Sequence, residues 1–164
     1  MSNKADVLRR LDALGVPYEH HEHEAAHTIA DCYVLPYYVP DITICKNILL
    51  CNRQQTAFYL YITMPDKPFR TADVSKKLGV SRLSFAPEAL LPDMLQLCSG
   101  SLSPMALWYD SEHRITFVVD SEVRRTPHIA FHPCDNTATV IFTQGDFWQA
   151  VVPALADEFI EIDV

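Results

Sequence analysis

Apolar positions recur along the chain with two different periods, and these periods predict its helices and strands. Near the start, Val7, Leu8, Leu11 and Leu14 follow the helical period, and Gly15 ends that helix. Thr28 is placed to cap a brief helix over residues 29–33. Further helices are predicted over residues 71–79, 87–95 and 146–156.

Two apolar runs rich in β-branched and aromatic residues, 42–51 and 57–64, flank a polar segment and predict a hairpin at the centre of a sheet. The proline-rich segment 35–40 predicts a loop with exposed aromatic rings. Shorter strands are predicted at residues 17–23, 82–85, 105–109, 114–120, 137–143 and 159–162. Helices and strands mix without strict βαβ alternation, so we expect an α+β fold with a mixed, mostly antiparallel sheet flanked by helices.

Composition narrows the classes of protein to which the chain can belong. Its 164 residues are 49% hydrophobic and 21% charged, which predicts a single globular domain over residues 1–164. No apolar stretch reaches the ~20 residues of a membrane span, and no signal-peptide core is visible, so we expect a cytoplasmic protein without a membrane partner. Five cysteines without a C-x-x-C pair predict reduced thiols. The net charge of −8 argues against DNA or broad nucleic-acid binding, so an RNA partner would need a local basic patch.

Lys46 is the most informative polar residue. On a strand it shares one face with Ile42, Ile44, Ile48 and Leu50. A cation buried there alone costs several kcal/mol, so it requires an anion or a ligand. A bulge that turns Lys46 to solvent, or a stem lying along the sheet with its head in water, explains the pattern equally well.

A second candidate segment is the loop G-S-L-S-P at residues 100–104. Glycine followed by small hydroxyl residues and a proline-fixed turn allows backbone N–H groups to converge on an oxyanion. An ordinary tight turn gives the same pattern. No G-x-S-x-G motif occurs, and neither Ser101 nor Ser103 has a neighbour that marks it as a nucleophile.

His132 and Asn136 lie four residues apart around a predicted turn, where they can orient a water or hold a ribose hydroxyl. The alternative is a half-buried ring and a turn-forming amide. The histidine-rich segment 20–27 would place His23 and His27 on one side of a helix, but H-E-x-x-H is absent. We therefore expect no metal and no cofactor.

Lys46 within I-C-K-N-I-L-L, the 100–104 loop, and His132 with Asn136 occur in an order that resembles the YbaK-type aminoacyl-tRNA deacylases, most of all the free-standing prolyl-tRNA editing proteins of the ProX/PrdX group. The resemblance implies hydrolysis, in trans, of a mischarged aminoacyl-tRNA, above all alanyl-tRNA(Pro). The catalytic candidates are Lys46, Gly100, Ser101, His132 and Asn136. The substrate-binding candidates are Tyr18, His23, Thr28, Pro104 and Met105.

In this hypothesis, amides of the Gly100 loop hold the ester carbonyl, and Lys46 pairs with phosphate or ribose oxygens. His132 and Asn136 fix the adenosine or the water. A small pocket would admit alanine and exclude proline. Two segments depart from the usual family pattern and border this pocket, namely the tyrosine- and proline-rich residues 35–40 and the M-A-L-W at 105–108.

The expected partners are the acceptor end of a tRNA carrying a small amino acid and a synthetase that hands the tRNA over. The phosphate-contact candidates are Lys67, Arg70, Lys76, Lys77 and Arg82, although ordinary solvated helix faces would also explain these charges. A noncatalytic nucleotide- or aminoacyl-tRNA-binding module is the competing hypothesis. A thiol enzyme is disfavoured, because no cysteine has a base at recognisable spacing.

Overall fold

The computed structural model of the protein describes residues 2–26, 31, 41–97 and 100–164, and their strands form two mixed sheets that share one core. The first strands along the chain are β1 (Glu19–Glu22), β2 (Ile42–Ile44), β3 (Lys46–Cys51), β4 (Phe58–Thr63) and β5 (Ser84–Phe85). The later ones are β6 (Ile115–Asp120), β7 (His128–Phe131), β8 (Ala138–Thr143) and β9 (Ile160–Ile162). The four-stranded sheet has the order β1-β8-β7-β2, and the five-stranded sheet has the order β5-β3-β4-β6-β9.

The helices are short; the first one precedes the first described strand, and the others lie between strands in the sequence. They comprise α1 (Lys4–Leu14), α2 (Thr71–Leu78), a 3₁₀ turn (Glu88–Leu90) that leads into α3 (Leu91–Leu95), and two further 3₁₀ segments (Pro104–Tyr109 and Ser121–Arg124). The last helix has α turns at Gln144–Asp146 and Val152–Leu155 around a π segment (Phe147–Val151). None of the helices in the part of the chain that is described is long and apolar enough to cross a membrane.

Among the described residues, four of the seven strand pairings are antiparallel, and three, β2 with β7, β4 with β6 and β6 with β9, are parallel. The predicted α+β class and the mixed, mostly antiparallel pairing are therefore confirmed. The strands are nevertheless divided between two sheets. The central hairpin is confirmed as β3 and β4, in the register Leu49 opposite Leu60.

The run 42–51, predicted as one strand, is broken at Cys45. Residues Ile42–Ile44 pair with β7 in one sheet, and Lys46–Cys51 pair with β4 in the other. Lys46 thus shares a strand with Ile48 and Leu50, but Ile42 and Ile44 lie in a different sheet. The chain changes sheets one residue before Lys46.

Two hydrophobic clusters cover the two faces of the five-stranded sheet. The larger one fills the space between the sheets and includes Leu49, Leu60 and Phe131, with Leu11 of α1 against it. The smaller one joins Ile48 and its neighbours on the outer face to α2; its buried members are Ile48, Leu50, Tyr61, Val74, Leu83, Val118 and Ile162. Lys46 belongs to this outer face by strand alternation.

Two predictions of secondary structure are wrong. Residues 105–109 form a 3₁₀ helix rather than a strand, because Pro104 occupies its first turn, where proline fits best. The strand β7 was missed, since its four residues lie in a run with no clear period. The helix expected at 29–33 and the loop expected at 35–40 lie outside the described residues.

Candidate active site

Lys46 and His132 each follow the carboxyl end of one of two paired parallel strands. Ile44 at the end of β2 is opposite Ala130 in β7, and the two strands run in the same direction. Lys46 and His132 each follow two residues after that pair. Because the chain passes into the other sheet at Cys45 and Lys46 pairs with Thr63, this register does not by itself bring the side chains of Lys46 and His132 into contact.

His132 is half-buried and faces a second histidine. The rings of His23 and His132 have centroids 5.8 Å apart. His23 Nε2 lies 2.9 Å from the hydroxyl of Thr139, a buried residue in β8, and its Nδ1–H donates to the main-chain oxygen of Glu24 at 2.6 Å. Two histidines 109 positions apart in the sequence thus lie side by side, with the hydroxyl of Thr139 2.9 Å from His23 Nε2 and 3.4 Å from His132 Nδ1.

The hydrogen bonds of His132 fix its tautomer. Its Nδ1 lies 2.8 Å from the main-chain oxygen of Ala138, which can only accept, so Nδ1 carries the proton and Nε2 carries the lone pair. Burial lowers the pKa of His132 below its ordinary value, and the neighbouring His23 adds to this effect. The bond to Ala138 and the charge of Asp135 oppose the shift without cancelling it. At neutral pH the ring is a neutral acceptor suited to orienting a water.

A tight turn after His132 brings Asn136 against the Gly100 loop. Cys134 adopts a positive φ of 58°, and its N–H donates to the main-chain oxygen of His132 at 2.8 Å. The carbonyl of Asn136 accepts from the N–H of Ala26 at 2.9 Å. A β-carbon placed on Gly100 would lie 3.8 Å from Asn136 Nδ2. The structure thus joins two of the candidate segments at this point.

The Gly100 loop is held in place by its buried residues. Gly100 is exposed and has a φ of +84°, a conformation that favours glycine. Ser101 and Ser103 are both buried, and Ser103 Oγ lies 3.8 Å from the sulfur of Cys134. Pro104 is buried and begins the 3₁₀ helix. The hydroxyls therefore point into packed protein, and the exposed part of the loop is the backbone at Gly100.

Lys46 is half-buried and is paired across the strands with Thr63. Within residues 2–26, 31, 41–97 and 100–164, none of the ion pairs includes Lys46. Its ammonium is therefore available for an anion from outside this part of the chain.

Asn47 is a polar neighbour that the sequence reasoning missed. It alternates onto the inner face with Cys45 and Leu49. Its Nδ2 donates to the main-chain oxygen of Cys45 at 3.2 Å, whereas its Oδ1 is buried without a hydrogen-bond partner among the described residues. The signal was present, since Asn47 interrupts an apolar run directly after the lysine.

Two of the substrate-binding candidates pack toward the core between the sheets rather than beside His23 and His132. Met105 has no exposed surface and packs in the core between the sheets, because it lies in the 3₁₀ helix and not in a strand. Tyr18 packs its ring against Phe142 at 6.0 Å and donates its hydroxyl to Asp12, so it lies on the core side, away from Thr139. Thr28 lies outside the described residues.

Among the basic candidates, Lys67 has a structural role. Its Nζ lies 2.9 Å from Asp120 Oδ2 and 3.2 Å from Glu122 Oε1, so its charge is already neutralised by two carboxylates. The other four candidates, Arg70, Lys76, Lys77 and Arg82, are exposed on and around α2. The basic patch thus loses Lys67 and keeps these four.

The described thiols are poorly suited to catalysis. Cys45, Cys51 and Cys134 are buried and free. Burial raises the pKa of Cys134 to about 12 and raises that of Cys45 as well. Both therefore stay protonated at neutral pH, which leaves them weak nucleophiles.

Comparison with known proteins agrees with the geometry. The family model of the aminoacyl-tRNA editing domain matches residues 23–149, which span the segments described above. The chain is 29% identical over 164 residues to the Prolyl-tRNA editing protein ProX of Acetoanaerobium sticklandii, covering 100% of this chain and 99% of that protein. It is 29% identical over 148 residues to the Prolyl-tRNA synthetase associated domain-containing protein 1 of Bos taurus, covering 88% and 85%.

A crystal structure proposed to be a trans-editing enzyme for prolyl tRNA synthetase superposes with a TM-score of 0.72 at 14% identity, covering 99% of this chain and 97% of that one. At that identity the likeness concerns the fold, and it matches the arrangement of two sheets with short helices. The family match over residues 23–149 includes Lys46, the Gly100 loop and His132. The family match therefore agrees with the resemblance that these residues indicated in the sequence. The chain belongs to the aminoacyl-tRNA editing domain family.

Proposed function

We propose that the whole chain, residues 1–164, acts as one editing domain that hydrolyses mischarged aminoacyl-tRNA in trans, with alanyl-tRNA(Pro) as its main substrate. The observation that carries the proposal is the meeting of Gly100 with the turn that contains His132 and Asn136. An aminoacyl ester is already activated, so its hydrolysis needs a positioned water and an acceptor for negative charge rather than a protein nucleophile.

Each residue has a role that follows from its position. The exposed backbone at Gly100 offers N–H donors to the oxyanion of the ester carbonyl. Nε2 of neutral His132 accepts from the attacking water or from a ribose hydroxyl, and Asn136 holds the neighbouring oxygen. Lys46, with no ion pair among the described residues, neutralises the phosphate or ribose oxygens of the terminal adenosine.

The names of the relatives support the choice of tRNA. One is a prolyl-tRNA editing protein and the other a prolyl-tRNA synthetase associated domain-containing protein. We therefore propose tRNA(Pro) carrying a wrong amino acid as the nucleic-acid partner and prolyl-tRNA synthetase as the protein from which this mischarged tRNA is passed on. A pocket that is small enough to exclude proline supplies the discrimination.

The test is the release of amino acid from purified aminoacyl-tRNAs. Alanyl-tRNA(Pro) should be deacylated faster than alanyl-tRNA(Ala), seryl-tRNA and cysteinyl-tRNA. Lys46→Ala should abolish release without lowering the melting temperature, because Lys46 forms no ion pair within the described residues. Binding of tRNA without release from any of these substrates would favour a noncatalytic binding module. Wild-type turnover by Lys46→Ala would remove the lysine from the mechanism.

A further inference from the structure

A groove at the β5 edge of the five-stranded sheet combines an exposed aromatic ring with arginines that form no ion pair among the described residues. Phe85 of the edge strand β5 has 61% of its surface exposed. Its ring stands at 61° to that of Phe69, with centroids 5.5 Å apart. Phe69 in turn contacts the buried Tyr61 at 5.8 Å. The exposed ring is therefore held in place from behind and presents its outer side to solvent.

Basic side chains border this ring. Arg70, Arg82 and Phe85 line a hollow with a volume of about 490 Å³. An adjoining hollow of about 540 Å³ shares Arg82 and Phe85 with it and adds Arg53. Both volumes lie within the range of roughly 300–1,000 Å³ that is usual for small-ligand sites. The two hollows thus form one open groove, which we call the Phe85 groove.

The arginines of the Phe85 groove form no ion pairs with the described part of the protein. Throughout the described ranges, no ion pair involves Arg53, Arg70 or Arg82. Between residues 67 and 85 the only acidic residue is Asp73. A chain with a net charge of −8 therefore keeps a local cluster of cations beside an exposed ring. Charge complementarity favours an anionic partner, and the ring favours a planar group.

The position of the groove relative to Lys46 indicates what it binds. Phe85 is paired with Leu50 at the far end of β3, so both residues lie on the same face of the sheet as Lys46. The four-residue separation along β3 corresponds to about 13 Å at roughly 3.3 Å per residue. That length matches about four stacked nucleotides at roughly 3.4 Å each.

We propose that the Phe85 groove binds an unpaired nucleotide of the RNA substrate, with the base stacked on Phe85 and the flanking phosphates held by Arg53, Arg70 and Arg82. This inference rests on the proposed function, and it identifies where the single-stranded acceptor end is held upstream of the ester. The interaction reads no sequence, because every base has a face that can stack on an aromatic ring.

The test measures binding alone, so it does not depend on catalysis. Fluorescence anisotropy with a short fluorescein-labelled single-stranded RNA ending in CCA should show binding by the wild-type protein. Phe85→Ala should weaken that binding by roughly five- to a hundred-fold, the effect of losing one stacked base. Phe85→Trp should restore it. Ile160→Ala, which removes another exposed apolar side chain at the opposite edge of the same sheet, should leave it unchanged.

The contribution of the arginines can be measured separately, through the salt dependence of RNA binding. Binding to single-stranded RNA should weaken with salt, with a slope of about −0.7 in log K against log salt for each phosphate held. Arg82→Gln should reduce the steepness of that slope by about this amount, while Phe85→Ala should leave the slope as it is. A blunt RNA duplex of equal length should bind less tightly than the single strand.

The outcomes separate the two proposals. Equal RNA affinity in wild type, Phe85→Ala and Arg82→Gln overturns the groove proposal, even if deacylation is intact. RNA binding that requires Phe85, in a protein that releases no amino acid from any aminoacyl-tRNA, supports the groove and overturns the deacylase. Equal binding of duplex and single strand also overturns the groove proposal, because a duplex offers no unstacked base.

Discussion

Lys67→Met removes the ammonium that neutralises a fully buried carboxylate. Asp120 has no exposed surface, and it accepts from Thr63 Oγ1 at 2.7 Å, from Lys67 Nζ at 2.9 Å and from the N–H of Glu122 at 3.0 Å. Without Lys67, two neutral donors would remain for a buried charge. Methionine keeps the length of the side chain, so the variant isolates the loss of charge.

The loss of unfolding free energy in Lys67→Met can be worked out from the burial of the ion pair. Removing one partner of a buried ion pair costs about 3–5 kcal/mol. The Lys67 side chain is 17% exposed and Asp120 keeps two hydrogen bonds, so the lower end of about 3 kcal/mol applies. In a chain of this length that loss lowers Tm by about 6–12 °C. Differential scanning calorimetry and urea unfolding measure both quantities.

A matched control is Lys77→Met, which removes an exposed cation from α2 and should change stability by less than about 0.5 kcal/mol. In a double-mutant cycle, adding Asp120→Asn to Lys67→Met should recover about 1–3 kcal/mol as coupling energy. If Lys67→Met melts like Lys77→Met and instead loses RNA affinity, then Lys67 belongs to the RNA surface and the structural assignment is wrong.

Three further predictions concern His132, Gly100 and Met105. Burial lowers the pKa of His132 in the folded protein, so below about pH 6.5 the unfolded chain binds more protons than the folded one. The stability that His132 contributes should therefore be full above about pH 6.5 and be lost as the pH falls through the lowered pKa of the folded protein. The corresponding decrease in the free energy of urea unfolding should be smaller in His132→Gln. Gly100→Ala meets no clash but is strained by the φ of +84°, so it should cost about 1–2 kcal/mol and slow deacylation; unchanged stability would exclude that backbone conformation. Met105→Ala should cost about 2–5 kcal/mol through a core cavity and leave KM unchanged, whereas a raised KM would return Met105 to the substrate pocket.

Local signals in the sequence were sufficient for most elements. The hairpin of β3 and β4 was predicted because both runs are apolar and a polar segment separates them. Gly15 and Gly79 end their helices in the left-handed conformation, as their positions in the sequence indicated. These features depend on neighbours in the chain, and a short window of sequence contains them.

Features that depend on distant residues could not be predicted in the same way. The switch of sheets at Cys45 leaves the apolar period intact, so nothing in residues 42–51 marked it. The role of Lys67 depends on Asp120, which is 53 residues away. The meeting of His23 with His132 depends on the pairing of β1 with β8. In each case a long-range register decides where a polar group lies.

The candidate site was predicted in part. Gly100 lies near Asn136, and the ring of His132 lies beside that of His23. Met105 was expected to border the substrate pocket because it directly follows the Gly100 loop, whereas the structure buries it in the core between the sheets. Asn47 could not be assigned to the site from the sequence, because the burial of its side-chain oxygen depends on how the two sheets pack.

The passage of the backbone from one sheet to the other at Cys45 restricts how this domain can change during evolution. A single-residue insertion or deletion at that junction would shift the register of β2 against β7 or of β3 against β4, and it would turn an entire strand over. Length variation should therefore be rare between Ile44 and Lys46 and common in surface connections such as 52–57, which joins two neighbouring strands of a single sheet. An alignment of many relatives would show a block without gaps around this cysteine.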